Sequence, residues 1–261
     1  DSILIGAGAG LSAADGDHHS GPVFDERFAD FRAQRGITDA YSGGFYPFPT
    51  SEERWAFWSR MISLLRYEAG PGQAYADLLG LVDERDYFVI TTNVDHRFQT
   101  SGFDKERLFY TQGDYGLLQC SVPCDDATYD NEQWVRQAVA SQEGMHIPSE
   151  LIPRCPRCGK EMTTNLRIDA RFVQDEGWAA AAARYEDFLE RTSAGRVLYL
   201  ELGVGMNTPS IIKFPLWRRV YDNPEATYAC VALDAAAPAE IADRSLLIRG
   251  DIAEALAGAR S

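Results

Sequence analysis

Apolar and polar positions along the chain fall into two kinds of segment. Short, nearly unbroken apolar runs stand at Ser2–Ile5, Tyr87–Thr91, Arg196–Leu202, Thr227–Leu233 and Leu246–Ile248. Runs of that length and composition predict buried strands. Other stretches carry a helical period. Trp55, Trp58, Met61, Ile62 and Leu65 form one apolar stripe behind Ser51-Glu52-Glu53-Arg54, which resembles a capped helix start. The stripe places those tryptophans in the core. Pro71-Gly72 breaks that helix, Gln73–Val82 begins another, and Asp175–Arg191 predicts a further one. Strands alternating with helices predict an α/β fold, Rossmann-like, with a parallel, doubly wound sheet. Residues 13–50 mix Gly, Asp, His and aromatic residues with little period, and are expected to form a long loop of the kind that serves as a lid or binding segment. Residues 119–165 also lack a regular pattern and read as an inserted module.

The strand ends carry the candidate chemistry. Ser2–Ile5 runs into Gly6-Ala7-Gly8-Ala9-Gly10-Leu11-Ser12, and a strand, a glycine cluster and a helix in that order can set backbone amides against a pyrophosphate. The spacing departs from G-x-G-x-x-G, and no clear second strand ends in an acidic residue about twenty positions on. A tight strand-to-helix turn explains the motif equally well. Tyr87–Thr91 is followed by Thr92-Asn93-Val94-Asp95, Arg196–Leu202 by Gly203-Val204-Gly205-Met206-Asn207, and Leu246–Ile248 by Gly250-Asp251. Doubly wound sheets bind ligands outside the carboxyl ends of their strands, where these residues fall.

Composition narrows the choices. Hydrophobic residues make up 45% and charged residues 25%, and no apolar run is long enough to span a bilayer. The net charge of −14 argues against nucleic acid or an anionic membrane surface as partner. The chain opens at Asp1 directly on an apolar strand, which reads as a trimmed start, and a cytoplasmic location is the expectation. Four of the five cysteines cluster as Cys120 and Cys124, then Cys155 and Cys158 in a CPRC knuckle. Two close pairs separated by a loop suit a tetrahedral thiolate zinc site; two disulfides or four separate thiols are the alternatives. Four protein ligands would close the shell and make the metal structural. Cys230 lies within an apolar run and is expected to be a buried strand residue.

Taken in order, the GAG near a strand end, TTNVD, a QGD step nineteen residues after Asn93 and the two cysteine pairs resemble the sirtuin family. Asp30-Phe31-Arg32 is similar to its DFR, Leu166–Phe172 to its LRPDVVxF, and Gly250–Leu256 to its closing GD…L. The matches span nearly the whole chain. The resemblance implies a single catalytic domain with a Rossmann-like part at 1–30, 78–118 and 166–261, a helical insert at 31–77 and a zinc-binding module at 119–165. It implies NAD as co-substrate, bound between the Rossmann-like and zinc-bearing parts. Gly6, Ala7, Gly8 and Ser12 would line the phosphate and adenosine side. Gly203, Val204, Gly205 and Asn207 would lie by the adenosine ribose, Asp251 and Ile252 by the adenine. Phe31 would cover the nicotinamide end, and Asn93 and Asp95 would hold the nicotinamide-proximal region. Arg171, Phe172 and Val173 would line the substrate cleft, where the equivalent sirtuin strand pairs with a peptide.

Some positions depart from that pattern. The stretch from Gly8 to Asp30 is longer than usual, and no ribose-binding Asn stands in Val231-Ala232-Leu233-Asp234. Most consequential, Gln112-Gly113 replaces the sirtuin histidine-glycine. Glutamine donates and accepts hydrogen bonds but cannot titrate, and loss of a general base costs on the order of 10²- to 10⁴-fold in rate. Catalysis is therefore expected to rest on Asn93 and Gln112 without a base. Of the remaining histidines, His18 and His19 could reach the cofactor from the loop, His96 is expected to face away, and His146 to lie on the surface. Gln112, the extended run from Thr91 to Cys120 and the YSGGFYPF segment resemble the macrodomain-linked, class M microbial sirtuins. That resemblance implies a protein mono-ADP-ribosyltransferase acting on a lipoylated carrier protein similar to glycine cleavage H protein. It further implies a macrodomain ADP-ribosyl hydrolase as functional partner and a part in the oxidative stress response. An NAD-dependent deacylase using another base, and a non-catalytic NAD sensor, are the competing expectations.

Overall fold

The computed structural model describes residues 2–16, 19–206 and 209–259. Among the described residues nine strands follow in chain order: β1 Ser2–Ala7, β2 Asp86–Thr91, β3 Leu108–Tyr110, β4 Gly113–Cys120, β5 Thr128–Asp130, β6 Met162–Leu166, β7 Val197–Leu202, β8 Thr227–Ala232 and β9 Ser245–Arg249. The chain divides into two compact units. The first holds Asp1–Gly16, Pro71–Gln112 and Glu176–Ser261; the second holds Asp17–Gly70 and Gly113–Asp175.

The first unit is a six-stranded sheet in the order β3-β2-β1-β7-β8-β9, parallel throughout. Its registers bring Ala7 level with Thr91 on one side and with Leu202 on the other, so three strand ends share one edge. Alternation along the strands builds two cores. Leu4, Phe88, Ile90 and Tyr199 pack with Tyr185, Phe188, Leu216 and Val220 of the helices Glu176–Arg191 and Lys213–Asp222. Ile5, Val89 and Leu202 pack on the opposite face with Leu11, Tyr75, Leu78 and Leu256 of the helices Ala9–Ala14, Gln73–Val82 and Ile252–Ala259. Helices on both faces make the sheet doubly wound, as the apolar runs predict. The final run differs in burial: Leu246, Leu247 and Ile248 on the edge strand β9 are 58%, 38% and 38% exposed.

One feature of this core is hidden in the apolar run VLYLEL. Glu201 is fully buried and pairs with Lys213, while Tyr228 Oη donates to its Oε2 at 2.7 Å and Cys230 Sγ to its Oε1 at 3.4 Å. Burial and the adjacent Glu201 carboxylate push the Cys230 thiol up to about 11. Cys230 is thus a buried strand residue with little thiolate character.

The second unit is built differently. Its sheet has three antiparallel strands, β5-β4-β6. A layer of aromatic side chains packs beside it: Phe24 stacks on Phe28 with ring centroids 4.4 Å apart, and Phe28, Phe31 and Phe48 surround Phe57. Trp55 is fully buried edge-on to Trp134 at 5.1 Å, and Trp58 is half-buried, so the tryptophan stripe is core. The helix Ser51–Ile62 begins where expected, although its cap is Thr50, whose Oγ1 accepts from Glu53 N at 3.2 Å.

One expectation fails here. Residues 13–50 are not a long loop: the helices Gly21–Arg27, Ala29–Arg35 and Ala40–Gly44 occupy much of them. Phe24, Phe28 and Phe31 recur at helical spacing, but each helix is too short to show the period over a full window. Residues 119–165 hold β5, β6 and the helix Glu132–Ala140, whose Val135 and Ala138 face inward. No helix among the described residues is long and apolar enough to cross a membrane.

Candidate active site and metal centre

At the carboxyl edge of the parallel sheet two loops meet backbone to backbone. Gly8 N donates to Leu202 O and Gly10 N to Gly203 O, each at 3.0 Å. A Cβ on Gly8 would stand 2.7 Å from Gly203 O, and one on Gly10 2.7 Å from Gly203 Cα. Gly203 itself sits at φ +60°, with Gly10 Cα 2.5 Å from where its own Cβ would be. Only glycine permits this approach and this dihedral together. The loop after β1 and the loop after β7 are therefore interlocked, leaving backbone rather than side chains at the strand ends.

Beside that junction lies a buried polar network drawn from three segments. Asn93 N donates to Thr91 Oγ1 at 3.0 Å, and its Nδ2 donates to Gly8 O at 3.0 Å and Ser12 Oγ at 3.1 Å. Ser12 Oγ donates to Asp95 Oδ2 at 2.5 Å, and Tyr75 Oη lies 2.8 Å from the same hydroxyl. Since the single Ser12 proton goes to the carboxylate, the Tyr75 phenol is the donor to Ser12. Burial, followed by the Asp95 charge, raises the Tyr75 phenol well above its ordinary value and keeps it protonated. Asp95 Oδ1 accepts from Arg97 N at 3.2 Å, and Arg97 Nη1 donates to Ser12 O at 3.2 Å. His96, between them, adopts φ +65°, a left-handed residue that turns the chain back onto Asp95. With both amide bonds of Asn93 Nδ2 directed inward, its Oδ1 remains as an acceptor on a half-buried residue.

Gln112 follows β3. Thr111 N and Oγ1 both donate to Thr91 O, at 3.0 and 3.1 Å, and Trp178 Nε1 donates to Thr111 O at 3.2 Å. These bonds fix the backbone just before Gln112 beside the end of β2. The Gln112 side chain is half-buried and has no hydrogen-bond partner among the described residues.

In the second unit the four thiols of Cys120, Cys124, Cys155 and Cys158 all lie within 4.8 Å of one another. Cys120 Sγ and Cys158 Sγ are 3.6 Å apart, as are Cys124 Sγ and Cys155 Sγ. Thiolates about 2.3 Å from a tetrahedral zinc stand about 3.8 Å apart, whereas a disulfide needs about 2.05 Å. The geometry fits a structural zinc and neither alternative. Backbone amides of Cys158 and Arg157 turn toward Cys155 and lower its thiol to about 7, whereas burial and the neighbouring thiols push Cys124 up to about 12.

No protein-family model matches the chain. A protein ADP-ribosyltransferase of Staphylococcus aureus is 39% identical over 254 residues, 97% of this chain and 81% of that protein. The chain belongs to this ADP-ribosyltransferase family, built on the sirtuin fold. A Fusarium oxysporum protein named as a probable bifunctional ADP-ribose hydrolase/ADP-ribosyltransferase is 36% identical over 229 residues, 82% of this chain but 37% of that longer protein. Among solved structures, a Sir2 enzyme bound to a propionylated peptide matches with TM-score 0.62 at 18% identity, over 98% of this chain and 90% of its own. A Sir2 homologue mutant in complex with ADP-ribose gives 0.60 at 15% identity, over 98% and 89%.

Within the ADP-ribosyltransferase chain, Gly6, Ala7, Gly8, Ser12, Asn93, Asp95, Gln112, Gly203, Val204 and Gly205 all follow the carboxyl ends of neighbouring strands or close them. Val204 points into the core at 3% exposure, so only its backbone is on offer. Asp251 accepts from Glu254 N at 3.0 Å as a helix cap, and Ile252 is 5% exposed. Asn207 and His18 lie outside the described residues. Phe31 belongs to the helix Ala29–Arg35 and is fully buried among Phe28, Phe48 and Phe57, with the Arg60 guanidinium 5.1 Å over its ring. Arg171 to Val173 follow β6 as irregular backbone, Arg171 exposed and Val173 buried. His146 is exposed, as expected. Tyr75 and Arg97 escaped the sequence reading. Tyr75 lies on an ordinary amphipathic helix with nothing in its spacing to mark it, whereas Arg97, charged and two residues beyond the NVD motif, was a usable signal.

Proposed function

We propose that the protein transfers ADP-ribose from NAD to a protein acceptor and releases nicotinamide, the acceptor being a lipoylated carrier protein similar to glycine cleavage H protein. Gln112 carries this reading. It stands where a sirtuin deacylase needs a titrating base, while the Asn93 amide is held by Ser12 and Gly8 with its oxygen left as an acceptor. That oxygen can receive a ribose hydroxyl. Breaking the bond between C1′ and nicotinamide passes through an oxocarbenium-like state, for which positioning and exclusion of water count more than a strong acid. Nicotinamide departs with the bonding pair, and an acceptor lone pair closes on C1′. An ionised carboxylate acceptor brings its own charge and needs no base, which glutamine could not supply.

The four thiols support a bound zinc whose contribution is to hold the second unit together. The Fusarium relative's name joins a hydrolase to a transferase, which supports a functional partnership with an ADP-ribosyl hydrolase of the macrodomain type. A cytoplasmic setting and a part in the oxidative stress response accord with a lipoyl-bearing acceptor. Incubation with labelled NAD and a purified lipoylated carrier tests the reading. Label on the carrier supports transfer; released acyl-ADP-ribose would indicate a deacylase, and NAD binding without nicotinamide release a sensor. Asn93→Ala is expected to abolish transfer, and Gln112→Ala to lower it by roughly 10²-fold; turnover at the wild-type rate by either variant would overturn these roles.

A further inference from the structure

The segment after β6 exposes residues 167 to 171 in succession, including Ile168 at 59%, and then turns under at Val173, which is 4% exposed. Among the described residues it joins no strand ladder. Two side-chain amides hold it instead, both nearly sealed from solvent: Gln119 on β4 at 2% and Asn165 on β6 at 3%. Gln119 Nε2 donates to Arg171 O at 2.7 Å, and Gln119 Oε1 accepts from Val173 N at 2.9 Å. Asn165 Nδ2 donates to Gln119 Oε1 at 2.8 Å and to Val173 O at 3.0 Å. Gln119 thus bonds residues i and i+2 of the segment through one side-chain amide, the spacing that a neighbouring strand would use. Asn165 fixes which way the Gln119 amide faces, since its donor requires the Gln119 oxygen at that end. The Asn165 carbonyl lies so close to Gly113, at φ +93°, that any Cβ there would collide with it.

We propose that Gln119 and Asn165 are positioning residues for the protein acceptor, holding the 167–173 crest in the shape that the acceptor meets. This rests on the transferase reading and on Arg171 to Val173 as acceptor contacts. The hydrogen bonds of the two amides go to the crest and to each other, so they act on acceptor recognition and not on nicotinamide release. A clamp of this kind shows as a rise in KM for the acceptor, because an unclamped crest must be ordered at each encounter.

Gln119→Glu tests it with minimal change of shape. The carboxylate keeps an oxygen for Val173 N and Asn165 but sets a second oxygen against Arg171 O, breaking one bond of the clamp. Transfer of labelled ADP-ribose to a lipoylated carrier is measured as a function of carrier concentration, beside nicotinamide release from NAD with no carrier present and zinc content. The expected result is a KM for the carrier raised about tenfold, with kcat and carrier-free nicotinamide release within about twofold of wild type and zinc retained. Asn165→Ala, which leaves both Gln119 bonds to the crest, is expected to raise the same KM by a smaller factor, about threefold. An unchanged carrier KM in both variants overturns the clamp, as does a parallel fall in nicotinamide release and transfer, the mark of a merely structural role. Failure of the wild-type enzyme to label the carrier while still releasing nicotinamide overturns the acceptor reading itself.

Discussion

The two units hold their chemistry by opposite means. In the first, a parallel sheet brings the strand ends to one edge, and the candidate site is made of backbone contacts and a buried hydrogen-bond network. In the second, a small antiparallel sheet, aromatic side chains and four converging thiols carry the structure, with the sheet contributing only three strands. A six-stranded sheet with helices on both faces buries enough apolar surface to stand alone, and can carry a few polar groups within it. A three-stranded sheet is marginal by that standard, and it is joined here to an aromatic core and a four-thiol cluster that fits a zinc. Order in the first unit comes from a two-faced sheet, and in the second from an aromatic core joined to a four-thiol cluster.

The comparison breaks first if the second unit survives loss of its metal. Removing zinc by chelation, or Cys155→Ser, is expected to cost on the order of several kcal/mol and to abolish the near-ultraviolet signal of the Trp55–Trp134 pair. The parallel unit should keep its cooperative thermal transition; a single transition lost as a whole would contradict separate sources of order. Next in size is Gly203→Ala, where a Cβ at φ +60° would meet Gly10. About 2–4 kcal/mol of destabilisation is expected in denaturant unfolding, together with a weakened affinity for NAD. A tolerated alanine would show that the two loops are not interlocked.

Tyr75→Phe sharpens the picture of the polar network. The ring keeps its edge-on contact with Phe98, but Ser12 loses one donor. The expected loss is about 1 kcal/mol, read as a small fall in melting temperature. Smallest is the pair Asp86–Arg191 at the sheet's opposite end. The Arg191 side-chain hydrogen bonds lower the Asp86 carboxyl to about 2, below its unfolded value. Its contribution is therefore present above pH ~4 and lost as pH falls toward 2; both side chains are more than a third exposed, so it is worth less than about 1 kcal/mol. Arg191→Ala should flatten that acid limb slightly, and an unchanged acid profile would remove the pair from the balance.

Much of the first unit was legible along the chain, and less of the second. Apolar runs located β1, β2, β7 and β8 to within a residue or two, because a strand buried on both faces is largely apolar; the run of β9 was located as well, although it lies exposed at the sheet edge. The short helices around Phe24 and Phe31 were not legible, since one or two turns carry too few positions to establish a period. Phe31 illustrates the limit: a three-letter resemblance suggested a cofactor cover, and only the structure shows its ring fully buried among Phe28, Phe48 and Phe57 with the Arg60 guanidinium over it.

By itself the sequence determined the fold class, the four-thiol set and the absence of a titrating group at Gln112, because patterning, spacing and side-chain chemistry are local properties. Only the tertiary structure decided which way the Asn93 amide faces, that Tyr75 and Arg97 join it, and that Gln119 and Asn165 grip the crest at 167–173. Those facts depend on hydrogen bonds between residues as much as 85 positions apart. Their partners are set by strand register and by the burial that makes each bond obligatory, and neither is written in any single stretch of the chain.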